Sequence, residues 1–115
     1  MESDREVPSE PPLRLEVAGE LSEPIVRITG EIDIATAPLV RAELAQLVNR
    51  GAQQIRLDLA NVGFIDSSGL GVLVGALRRL REERDGRVRI DAVQDGVRRV
   101  FEITGLGPMF GIAPR

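Results

Sequence analysis

IRLDLANVGFIDSSGLGVLVGALRR, residues 55–79, changes its apolar period partway along. Ile55, Leu57 and Leu59 alternate with Arg56 and Asp58, the two-residue repeat of a strand with one buried face. Further on, Leu70, Leu73, Val74, Leu77 and Leu80 share one face of a helix, with Arg78, Arg79, Arg81, Glu82 and Glu83 elsewhere. Asp66, Ser67 and Ser68 stand between the two patterns, ahead of a helix expected to begin near Gly69. A strand followed by a helix is half of a crossover, so the next strand should lie parallel to the first with a right-handed connection.

The flanking sequence supplies the rest. Asp85-Gly86 stops the helix, Val88, Ile90 and Ala92 alternate as a further strand, and Val97, Val100, Phe101 and Thr104 make a short helical stripe ending at Gly105. The tail GPMFGIAPR could supply a brief edge strand around Met109 to Ile112. Upstream, Thr36 is a candidate N-cap with Pro38 in the first turn, and Val40, Leu44, Leu47 and Val48 give an amphipathic helix ending near Arg50-Gly51. Before it, Leu13, Leu15 and Val17, a Gly-Glu-Leu-Ser-Glu-Pro turn, then Val26 and Ile28 read as an antiparallel hairpin. Residues 1–12, charged and holding Pro8, Pro11 and Pro12, read as a disordered tail before a domain over 13–115. The order β-β-α-β-α-β-α predicts an α/β fold, a two-layer sandwich with a mixed sheet of four to five strands. Because the strands alternate apolar with charged residues, the helices should cover one sheet face and leave the other wet.

Composition narrows the chemistry. The 115 residues suit a single domain, and 15 basic against 18 acidic residues give a formal charge of -3. The basic residues are scattered along the chain, so neither nucleic acid nor a membrane surface is an expected partner. No apolar run approaches the roughly 20 residues of a membrane span, and the N-terminus lacks a signal-peptide pattern, which makes the cytoplasm the expected location. Cys, His, Tyr and Lys are all absent. That removes the thiolate, the imidazole base and the Schiff-base or P-loop lysine, and with them most zinc, copper and haem ligation. No enzyme activity, metal or cofactor is expected.

The serines therefore need a use other than nucleophilic catalysis. A hydrolase elbow wants G-x-S-x-G and a base, whereas Ile65-Asp66 and Gly69-Leu70 flank this pair. One residue of Asp66-Ser67-Ser68 suffices to cap a helix, which leaves a hydroxyl free for solvent. Gly69, Gly71 and Gly75 follow at positions where each costs up to ~1 kcal/mol relative to Ala, consistent with close approach by a partner or by the sheet. A phosphate on a hydroxyl here would meet the positive end of the helix dipole, so the fold should tolerate it while the surface changes.

With GEID at residues 30–33, IRLDLANVGFIDSSGLGVLVGALRR at 55–79 and VRRVFEITGL at 97–106, the chain resembles the anti-sigma-factor antagonist branch of the STAS domain family. The resemblance implies a protein that binds a serine-kinase anti-sigma factor and so frees a sigma factor. It implies phosphorylation at Ser67, reversal by a PP2C-type phosphatase, and ATP as the partner's ligand. Asp33, Asp66, Ser68, Gly69 and Gly71 join Ser67 as the partner surface it implies. The alternative is a STAS scaffold or adaptor module in which Ser67 sets assembly instead. Members of the family commonly add a further C-terminal helix, and the residues after Gly105 are expected to depart from that pattern.

Overall fold

The computed structural model describes residues 12–113, so nearly all of the expected N-terminal tail lies outside the described residues. Strands β1, Leu13–Glu20, and β2, Glu23–Ile32, form a hairpin turning on two residues, with Glu20 opposite Glu23 and Leu13 opposite Gly30. Helix α1, Ala37–Asn49, leads to β3, Gln54–Ile65, and α2, Ser67–Arg84, leads to β4, Arg87–Val93. Helix α3, Asp95–Thr104, and a 3-10 turn, Gly107–Phe110, follow. The sheet order is β1-β2-β3-β4, with β2, β3 and β4 mutually parallel. Among the described residues this is a mixed four-stranded sheet with three α-helices, the α/β architecture expected.

Alternation sets the layers. Val26, Ile28, Ile55, Leu57, Leu59, Val88 and Ile90 turn to one side, where they join Val40, Leu44, Leu73, Leu77, Val97 and Phe101 in a single core. The opposite side carries cross-strand ion pairs, Arg27 to Asp58 at 3.3 Å and Arg56 to Asp91 at 2.8 Å. Such pairs contribute at most about 1 kcal/mol each in water, and their main effect is to keep this sheet face polar. No helix among the described residues is long and apolar enough to cross a membrane.

Two elements differ from the sequence reading. The segment around Met109 to Ile112 is not a strand. Pro108, which has no N–H to give a sheet, sits in the first turn of a 3-10 helix, and Gly111 at φ 78° curls the chain back. Phe110 and Ile112 are thereby both buried, and Phe110 meets Phe101 edge-on with ring centroids 5.6 Å apart. In addition, β3 continues through Ile65 and α2 starts at Ser67, two residues before Gly69. The strand absorbs Ala60, Asn61 and Gly63 by shifting register against β2 between Arg27 and Thr29 and between Gly30 and Glu31.

Candidate functional site at the start of α2

The parallel pair β2 and β3 ends together, Ile32 opposite Ile65, and the Asp66 N–H donates to the Ile32 carbonyl at 3.2 Å. One residue thus separates strand from helix. Asp66 is extended, at φ -115° and ψ -171°, and its Oδ1 accepts from the N–H groups of Ser68 at 2.9 Å and Gly69 at 3.2 Å. The acid, not a serine, is the cap. Replacing it in Asp66→Ala is expected to cost about 1 kcal/mol in chemical denaturation and to speed hydrogen exchange at the Ser68 and Gly69 amides.

Capping by Asp66 leaves Ser67 with nothing to do inside the fold. Ser67 is exposed at the first position of α2, and its hydroxyl has no hydrogen-bond partner among the described residues. Ser68, one position on, is half-buried. The glycines divide between two physical roles. Gly69 is buried, and a Cβ there would lie 2.7 Å from Ile32 Cγ2 and from Ile65 Cγ1, so its smallness lets α2 sit on the strand ends. Gly71 and Gly75 are exposed, with nothing within 4 Å of an added Cβ. They bare the α2 backbone beside a hollow of about 200 Å³ that α1 closes with Arg41, Leu44 and Val48.

Asp33 occupies the neighbouring turn between β2 and α1. Its Oδ1 accepts from the N–H groups of Ala35 at 2.9 Å and Thr36 at 3.0 Å. Thr36, which is 2 % exposed, accepts from the Asp33 N–H at 2.9 Å and donates to the Glu31 carbonyl at 2.7 Å. It holds the turn rather than capping α1 through its side chain. The Thr36 N–H bond lowers the Asp33 pKa; desolvation opposes this, and the Thr36 hydroxyl and Ala35 N–H assist. A depressed folded-state value means the turn's contribution is present above the ordinary carboxylate pKa and fades as pH falls through the folded one. The carboxyl carbon of Asp33 should therefore titrate below the ordinary aspartate range by NMR, with the Ala35 and Thr36 amides moving at the same midpoint.

The residues expected at one surface are thus brought together on two adjacent junctions at the carboxyl end of the sheet, except that Gly69 faces inward. Sequence reasoning passed over Ile34, 77 % exposed, and Leu39, 50 % exposed, which add apolar area on and just past the Asp33 turn. Their signal was available: neither falls on the Val40, Leu44, Leu47, Val48 stripe. Among the described residues no cluster of carboxylates could hold a metal ion.

The description STAS domain matches residues 14–115. An anti-sigma-B factor antagonist of Bacillus subtilis (strain 168) is 36% identical over 90 residues, covering 78% of this chain and 81% of the relative. One from Staphylococcus aureus (strain NCTC 8325 / PS 47) is 40% identical over 81 residues, covering 70% of this chain and 74% of the relative. The unphosphorylated anti-sigma factor antagonist SpoIIAA superposes with a TM-score of 0.76 at 28% identity, covering 89% of this chain and 90% of that one. The phosphorylated form of the Bacillus cell fate determinant SpoIIAA superposes with a TM-score of 0.68 at 26% identity, covering 89% and 93%. A strand-ended acid cap, a bare serine beside it and a match across almost the whole described chain converge, and this chain belongs to the STAS domain family.

Proposed function

We propose that the chain is an anti-sigma factor antagonist, acting by binding and switched by phosphorylation of Ser67. The names of its relatives support the first part. The observation that supports the second is the Ser67 hydroxyl, exposed and unbonded at the N-terminus of α2 while Asp66 alone does the capping. The partner is a serine-kinase anti-sigma factor that supplies ATP and phosphorylates the antagonist it binds; a PP2C-type phosphatase restores the free serine. The chain itself performs no catalysis.

Charge and geometry account for the switch. A phosphate on Ser67 adds about -1.5 to -2 charge where the helix dipole is positive, so the modified fold is retained. A partner packed closely over the bare hydroxyl must then take in an added dianion, which costs desolvation and repulsion where its facing groups are apolar or acidic. Gly71 and the exposed Ile34 and Leu39 widen the contact beyond the switch residue.

Incubation with a purified serine-kinase anti-sigma factor and ATP, followed by mass spectrometric mapping, tests the reading. One phosphate on Ser67, absent from Ser67→Ala, is expected. Phosphate confined to Ser68, or none at all on a chain that still binds, overturns it in favour of an adaptor role.

A further inference from the structure

Two adjoining hollows of about 370 Å³ and 220 Å³ lie between the C-terminal half of α2 and the 3-10 turn, sharing Leu77, Arg81 and Met109. Together they make a trough. Its exposed apolar part is Met109, 37 % exposed, seated over the buried Leu77 and Phe110. Its polar rim carries Arg78, Arg81, Arg87 and Arg89 against only Glu82 and Asp85. Arg78, Arg81 and Arg87 have no side-chain hydrogen bond or ion pair among the described residues, and Arg89 only approaches Asp91 at 3.9 Å. A chain of net charge -3 thus gathers four guanidinium groups from α2 and β4 around one exposed methionine. Gly86 lets the α2–β4 connection run tight against the Gln53 carbonyl, so that β4 turns back alongside α2.

We propose that this trough is a second docking surface, taking an extended acidic segment of a partner protein with an apolar side chain seated on Met109. Guanidinium groups bind carboxylates through paired N–H donors, and a methionine floor adapts to varied apolar shapes. From Val74 to Asp85 the trough spans about 17 Å at the helical rise, the reach of about five extended residues. Ser67 lies at the other end of α2, about 21 Å from Arg81 along the helix, beyond the ~8 Å over which charge is felt at physiological salt. Docking here is therefore blind to the state of Ser67, and a partner held in the trough stays attached through a cycle of modification.

Fluorescence anisotropy with a labelled Glu-Glu-Leu-Glu-Leu-Asp peptide tests this, with the peptide bearing Gln and Asn for its acids as control. Binding that weakens with salt, is absent for the control and falls about tenfold in Arg81→Gln/Arg87→Gln is expected, the size of losing charge-assisted hydrogen bonds. Met109→Ala should weaken it as well, while Ser67→Asp leaves it unchanged, so the result stands apart from the fate of the kinase reading. No binding, or an equal loss in the exposed pair Arg50→Gln/Arg99→Gln, overturns the proposal. So does self-association abolished by Arg81→Gln/Arg87→Gln, which makes a second copy the occupant. Peptide binding that appears only after deletion of residues 1–11, with their Glu2, Asp4, Glu6 and Glu10, overturns it too by making that segment the occupant.

Discussion

Ser67→Asp is expected to abolish binding to a kinase anti-sigma factor while leaving the fold at least as stable as before. The side chain is exposed, makes no hydrogen bond in the fold and occupies the first position of α2. An acid there faces the positive helix terminus, so a change in stability of about 0 to +1 kcal/mol is expected. At the interface the same charge is desolvated by a partner packed over a neutral hydroxyl, and meets its apolar or acidic groups. A penalty of about 3 kcal/mol or more corresponds to a loss of at least about a hundredfold in affinity. Titration calorimetry beside thermal melts reads both quantities. Ser67→Asn, similar in size and uncharged, should retain most of the binding. Equal loss in the two variants would assign the effect to shape, and undiminished binding of Ser67→Asp would remove charge from the account.

Local sequence carries the features that period sets. Alternation in Ile55-Leu57-Leu59 and the helical spacing of Leu70 to Leu80 specify layer and face directly, because each apolar residue has one side to go to. The two places where the reading missed are places where a distant contact decides. In the final segment Pro108 and Gly111 favour a turn locally, but the apolar run from Met109 to Ile112 reads as a strand until Phe101 takes Phe110 edge-on. The extension of β3 through Ile65 depends on pairing with β2, which no window within 54–65 contains. At the site, Asp66, Ser67 and Ser68 were legible as capping-type residues, yet which of them caps is set by the Ile32 carbonyl holding Asp66 in place. The arginines of the trough lie within residues 78–89, interleaved with Glu82, Glu83 and Asp85, and it is the return of β4 alongside α2 that sorts four of them onto one side. Alternation with acids, not sequence distance, hides that patch.

Gly69→Ala should be the most destabilising alanine substitution among the three glycines of α2, and it separates packing from partner contact. A methyl there would come within 2.7 Å of Ile32 Cγ2 and Ile65 Cγ1 and 3.0 Å of the Ile32 carbonyl oxygen. Both isoleucines are buried, at 0% and 2% exposure, and the carbonyl already accepts the Asp66 N–H, so none of the three can retreat freely. Overpacking of this kind costs about 1–3 kcal/mol, beyond the up to ~1 kcal/mol that alanine gains in helix propensity. A fall in Tm of about 4–8 °C per kcal/mol is expected for a domain of this size. Gly71→Ala and Gly75→Ala point into open space and should instead raise Tm, each by up to ~1 kcal/mol of stability. The opposed signs make binding informative. If Gly71→Ala stabilises the free chain but weakens its complex with the kinase, the exposed backbone of α2 is in contact with the partner. If it stabilises both, Gly71 lies outside the interface and the contact is confined to the strand-end rim. Gly69→Ala, by contrast, should weaken the complex only through displacement of Asp66 and Ser67, and Ile65→Val, which removes Cδ1 but keeps the Cγ1 that the methyl would strike, should restore neither stability nor binding.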